Sequence, residues 1–281
     1  MKSGFLRLSI LFFFFFVILS RAQTINEQKV YDLKYNLAKD TKFNLKNFNI
    51  TNQFRKQDGT KTLLYSRTRD LEIEYTVIDL KDTTITFEIE YKKKYYKGPI
   101  RDGNELVDDF SNIIGKKVQY TMSTRGNLGN LDGFKDLPDY KMSSGAIYTG
   151  AMLREEIEHM FMVLPGKPIK LGDSWKREAF GISYELKALE EVKINGYDCV
   201  RIFARIEEYS NQKSKDRDGS DVSVEIYEPY VDVYYFAYKE GIMISRFSIC
   251  SNAEVNVKNM KGEIIRQGEN DISYETYVQF K

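Results

Sequence analysis

The feature that most constrains the fold is strict alternation of apolar and polar residues along short runs. In "LEIEYTVIDL", Leu71, Ile73, Tyr75 and Val77 fall on one face of an extended chain, and in "TITFEIEY" so do Ile85, Phe87, Ile89 and Tyr91. Successive side chains of a strand point to opposite faces, so a period of two buries one face and wets the other, as in an antiparallel sheet. "KDTT" between these runs reads as a turn. After the single tryptophan the same grammar returns in "ISYELKALEEV", "KINGYD" and "CVRIFARIEEY", with Val200, Ile202, Ala204 and Ile206 in phase. An Asn-Gly pair between alternating runs is a strong hairpin signal. "VYDLKYNL", "TKFNLKNFNI", "KVQYTMSTRG", "VDVYYFAY", "GIMISRFSIC" and "DISYETYVQF" supply further strands. The 20 tyrosines and 18 phenylalanines suit a pleated surface better than a helix.

Two segments break the period. Residues 104–114 place Leu106, Phe110, Ile113 and Ile114 at helical spacing behind Asn104 as a cap. Residues 144–164 place Ile147, Leu153, Ile157, Met160, Phe161 and Leu164 along one stripe. The expected fold is therefore α+β and mainly β: a long curved antiparallel sheet, half open like an unclosed barrel, with one longer and one short helix. The layout of hairpins on either side of the 144–164 helix suggests a degenerate duplication, with no repeat at the level of residues.

The chain begins with Lys2 and Arg7, an apolar run from Ile10 to Leu19, and small residues around Ala22-Gln23. This is the pattern of a secretory signal peptide over residues 1–22, leaving a single β-rich domain over 23–281 in a secreted or periplasmic location. The apolar run is about half the roughly 20 residues a spanning helix needs. No cysteine lies near the cut to carry a lipid, and later apolar residues are interleaved with charges, so an integral membrane protein is not expected. Residues 1–22 hold three basic residues and no acid, so residues 23–281 carry 39 basic residues against 41 acidic ones. That balance argues against a nucleic-acid binder.

Each chemical motif has a plainer structural explanation. In "FMVLPGKPIKLGDSW", Pro165 and Gly166 stop the longer helix, Pro168 holds the chain extended, and Trp175 starts a strand as a plug against the helix end. His159 is the only histidine, which excludes multi-histidine zinc sites, and no Gly-x-Ser-x-Gly elbow accompanies it. Glu72, Glu74, Glu88 and Glu90 alternate with apolar residues and read as a wet sheet face rather than a catalytic pair. "KDRDGSD", residues 215–221, resembles a calcium loop but lacks its register and reads as a hairpin loop. Asn49 to Thr51 form a glycosylation triplet only in a eukaryotic secretory route. Cys199 and Cys250 both sit in strand contexts, where an oxidising compartment would permit one disulfide and packing alone would give two buried thiols. "YKKKYYK", with Tyr91, Lys92, Lys93, Lys94, Tyr95, Tyr96 and Lys97, reads as a guarded sheet edge or as a surface patch for anionic lipid head groups, a glycan or single-stranded nucleic acid. No metal or cofactor is expected.

"YDLKYNLAKDTKF", "VQYTMSTRGNLGNLDGF", "LPGKPIKLGDSW", "INGYDCVRI" and "YYFAYKEGIMI" together resemble a family of uncharacterised secreted bacterial proteins. In layout that family is similar to the LolA/LppX-like lipoprotein and lipid carriers of the cell envelope. Asp40 stands where a turn glycine is usual, and the signal lacks the lipidated cysteine of many relatives. The resemblance brings no catalytic residue. It implies a non-enzymatic carrier of a hydrophobic ligand such as an acyl chain, with Met152, Ile157, Met160 and Phe161 as candidate liners. A cell-envelope module that binds glycan or a partner protein is the alternative, and a carboxylate-dependent hydrolase the third.

Overall fold

The structure is a computed structural model that describes residues 29–280 except 102, 103, 180, 181 and 217. The expected signal peptide and its cleavage point lie outside the described residues.

Eleven strands form one antiparallel sheet: β1 (Lys42–Gln57), β2 (Thr60–Lys81), β3 (Thr84–Arg101), β4 (Asn104–Asp108), β5 (Lys117–Ser123), β6 (Ser174–Ala179), β7 (Ile182–Ile194), β8 (Tyr197–Lys215), β9 (Asp221–Ala237), β10 (Ile242–Asn259) and β11 (Ile264–Phe280). The order across the sheet is β6-β7-β8-β9-β10-β11-β1-β2-β3-β4, with β5 also on the far side of β3. Thr84 to Glu90 of β3 pair with β5, and Tyr96 to Arg101 pair with β4. Neighbours are consecutive in the chain except at β3–β5 and at β11–β1, where Phe280 opposes Phe43. The sheet does not close into a barrel.

The turns follow the local chemistry. Asn195-Gly196 and Asp58-Gly59 both place two residues at positive φ, as a tight hairpin between right-twisted strands requires. Asp40 takes the glycine-like φ of 65° itself, and its N–H donates to the Val77 carbonyl at 2.8 Å. Asp tolerates that region better than most residues.

Three expected elements differ. The short helix over 104–114 is absent: Asn104–Asp108 is a strand because the second half of β3 offers an unpaired edge, and Phe110 leaves the helical region at φ 50°. Phe110 and Ile113 are buried all the same. The longer helix is confined to α1 (Gly150–Met160) and ends before Pro165. Its end is set by the Tyr35 hydroxyl, which accepts from the Met162 N–H at 3.1 Å and donates to the Met162 carbonyl at 3.0 Å. Beyond Tyr31, "VYDLKYNL" is extended without a continuous ladder, since Tyr35 N–H donates to Thr124 and Asn36 N–H to Gly241.

Residues 124–173 run from β5 at one side of the sheet to β6 at the other and carry α1 over one face of the sheet. Gly150 starts α1 where the chain passes so close that a Cβ would lie 2.0 Å from the Phe134 carbonyl oxygen. Phe161, just past α1, anchors the crossing in an aromatic cluster. Its ring lies 5.6 Å from Tyr75, 5.7 Å from Tyr35 and 6.0 Å from Phe87, while Phe43 stacks on Tyr75 at 4.9 Å. Such a ring contributes its buried area plus a geometry-dependent term.

Candidate functional site: a cavity beneath the helix

Phe161, Ile157 and Leu153 fill the space between the crossing segment and the sheet; further along the strands, a cavity of about 640 Å³ remains. Its floor is built from inward positions of the strands. The pairing Ile206↔Tyr230↔Cys250 defines one row across β8, β9 and β10, and Asp232↔Ser248↔Tyr274↔Asn49↔Arg69 the next. Met152, Glu155, Glu156 and Met160 of α1 line the opposite wall. Methionines and aromatic rings supply the apolar lining, a combination that adapts to irregular ligand shapes.

Charged groups also reach into the cavity, and several of them are paired within the protein. Lys94, 7% exposed, lies 2.6 Å from both oxygens of Glu156, and the Tyr148 hydroxyl donates to Glu156 Oε1 at 2.5 Å. The ammonium also lies over the rings of Tyr148 and Phe110, at 4.6 and 4.9 Å. Burial lowers the Lys94 pKa, and the Glu156 charge works against that shift. Across the floor, Arg246 lies 2.6 Å from the fully buried Asp232 Oδ2, to which Tyr234 also donates at 2.6 Å. Glu208 and Glu228 oppose one another on β8 and β9. The Tyr230 hydroxyl donates to Glu228 at 2.9 Å. Burial, with the Glu228 and Asp232 charges, raises the Glu208 pKa.

Of the four candidate liners, Met152 and Met160 border the cavity, whereas Ile157 and Phe161 are core residues. The "YKKKYYK" run is divided. Tyr91 is fully buried and Lys94 points inward, while Lys92 lies 2.5 Å from Glu90 and Lys93 2.5 Å from Asp70 on the outer face. Tyr95 and Tyr96 border the cavity, and Lys97 follows on β3. A register shift causes the division: Glu72 opposes Lys93 but Ile73 opposes Tyr91, so a bulge at Lys92 inserts one residue and changes the phase of the strand.

Cys199 and Cys250 are free and buried. They oppose Ala237 and Tyr230, seven residues apart on β9, so their rows are separated by roughly 23 Å along the strands. No disulfide spans that distance. Asn49 is 3% exposed and donates to the Ser273 carbonyl, which leaves no room for a glycan. In the 215–221 loop Asp218 accepts from Ser220, Asp216 pairs with Arg266 and Asp221 with Lys215, and the described residues contain no metal-ligating cluster. Trp175 is half-buried and donates Nε1–H to the Val163 carbonyl at 3.0 Å, holding the chain beyond α1. His159 lies on α1.

Sequence reasoning passed over Glu208, Asp232, Arg246 and Arg177, though a signal existed. Glu208 continues the set Val200, Ile202, Ala204 and Ile206 in phase, and Asp232 falls between the buried Tyr230 and Tyr234. A charge in phase with an apolar set points inward.

No family model and no curated protein sequence matches the chain. Among solved structures it is similar to a lipovitellin studied for its lipid–protein interactions, at TM-score 0.49 and 11% identity, over 88% of this chain and 25% of that one. The chain thus spans about a quarter of the lipovitellin chain. It is also similar to a DUF1329 family protein from Desulfovibrio piger, at TM-score 0.16 and 7% identity, over 85% of each chain. Likeness at this level is too low to transfer a ligand or a role. Among the described residues, no helix is long and apolar enough to cross a membrane.

Proposed function

We propose that this chain is a secreted or periplasmic binding protein that carries one amphiphilic small molecule, with a hydrophobic portion, in the cavity beneath α1 and performs no chemistry on it. The observation that supports this reading is the cavity itself. A solvent-connected cavity of about 640 Å³ lies between α1 and the sheet, within the range typical of small-molecule sites. Methionine and aromatic side chains border it, and the Lys94–Glu156 and Arg246–Asp232 pairs neutralise two of its buried cations within the protein.

A surface module acting through the "YKKKYYK" run has less support, because Lys92 and Lys93 are matched by acids on the same and neighbouring strands. A carboxylate-dependent hydrolase would draw on Glu208 and Glu228, which oppose one another on β8 and β9; it has less support because Tyr230 already occupies Glu228 with a hydrogen bond at 2.9 Å.

Native mass spectrometry of Gln23 to Lys281, purified from its natural export route and followed by organic extraction, tests the proposal. One amphiphile per chain is the expected result. A ligand-free mass, together with failure to bind a hydrophobic fluorescent probe stoichiometrically, would overturn it.

A further inference from the structure

We infer that the ligand carries an anionic group, a carboxylate or a phosphate, and that Arg177 recognises it. This rests on the binding reading above and adds the chemistry of the ligand's polar end. Arg177, on β6, borders the cavity and is 6% exposed. Its one hydrogen bond among the described residues is a long one, 3.3 Å, to the Glu158 carbonyl in the last turn of α1, and its Nε has no partner. The Tyr184 ring lies 5.6 Å away beneath the guanidinium. No carboxylate among the described residues pairs with it.

That arrangement is costly in an unliganded protein. A guanidinium does not shed its proton, so burial cannot be relieved by neutralisation. The other two deeply placed cations of the cavity have full counter-charges, Lys94 in Glu156 and Arg246 in Asp232. The remaining acids do not supply a third: Asp70 pairs with Lys93, Glu155 is exposed on α1, Glu228 is engaged by Tyr230, and burial pushes the Glu208 carboxyl towards its neutral form. A helix C-terminus carries only a fractional negative charge. A ligand anion in the cavity would complete the site by accepting from the guanidinium, whose charge no carboxylate of the protein offsets, through the charge-assisted hydrogen bonds that carboxylate and phosphate form with it. The ring of Tyr184 would hold the guanidinium plane in place for it.

The experiment compares dodecanoate, dodecyl phosphate and neutral dodecanol as competitors for a hydrophobic fluorescent probe, on the wild-type protein and on Arg177→Met and Arg177→Lys. Wild type should bind at least one of the two anions roughly tenfold or more tightly than dodecanol, as expected for a charge-assisted hydrogen bond. The preferred anion identifies the head group. Arg177→Met should lose that preference while keeping its affinity for dodecanol, and Arg177→Lys should retain part of it. Equal affinity of wild type for all three would overturn the anion assignment and leave the carrier reading intact. An unchanged anion preference in a folded Arg177→Met would overturn the role given to Arg177. Failure of all three to compete would remove both the anion assignment and the carrier reading. Where Arg177→Met does not fold, the wild-type comparison still decides the anion assignment, and an anion preference in Arg177→Lys no weaker than that of wild type would overturn the role of Arg177.

Discussion

Replacing Glu156 by glutamine is the sharpest test of how α1 is held over the sheet. The substitution preserves shape and one hydrogen-bond acceptor but removes the charge facing Lys94, whose ammonium is 7% exposed and touches both carboxylate oxygens at 2.6 Å. Breaking a buried pair by removing one partner costs about 3–5 kcal/mol, because the other charge stays buried. The amide oxygen still accepts one bond, so the lower end, about 3 kcal/mol, is expected here. In urea that corresponds to a midpoint shift of about 1 M if the slope is near 3 kcal/mol per M.

The pH dependence follows from the direction of the Lys94 shift. Burial lowers its folded pKa below 10.5, so between the folded value and 10.5 the unfolded chain binds more protons and stability rises with pH. Without Glu156 the folded value falls further and the window extends to lower pH. The deficit of Glu156→Gln should therefore shrink as the pH approaches about 10, where Lys94 is neutral in the folded variant. Equilibrium urea unfolding at several pH values, followed by Trp175 fluorescence, measures this. The double variant Lys94→Met/Glu156→Leu should recover to within about 1 kcal/mol of wild type or exceed it. A Glu156→Gln penalty under roughly 0.5 kcal/mol, the value of a surface pair, would refute the buried latch. Strict additivity in the double variant would do the same.

Two further outcomes are expected. Tyr35→Phe removes the hydroxyl that both accepts from and donates to the Met162 backbone, leaving two buried polar groups unmatched; a loss of about 1–3 kcal/mol should appear in the same unfolding assay, and none would mean that α1 is terminated otherwise. Burial pushes the Cys199 thiol up to about 11 and Cys250 up to about 12, so both should resist iodoacetamide at neutral pH in the native protein and both should react once it is unfolded without reductant. A missing pair of reactive thiols in that unfolded sample would reveal a disulfide.

The primary structure alone determined the strand content and the faces of the strands. Leu71, Ile73, Tyr75 and Val77 are buried as their period of two requires, and Glu72, Glu74, Glu88 and Glu90 lie on the wetter face, because alternation is a property of the extended chain itself. The Asn195-Gly196 hairpin was legible for the same local reason. Where the residues of one face meet was not. The bulge at Lys92 depends on the register of β3 against β2, and it turns what reads as one basic run into two surface lysines and a buried latch. The strand at Asn104–Asp108 formed in place of a helix because a neighbouring edge needed partners, which no window of 11 residues reveals. The cavity joins β1–β3, β6–β10, β11 and α1, segments up to about 230 residues apart, such as Asn47 and Tyr274. Side-chain period is set within a few residues, whereas the pairing of Glu156 with Lys94 and the isolation of Arg177 are set by which distant strands the fold brings beneath the helix, and only the tertiary structure decided them.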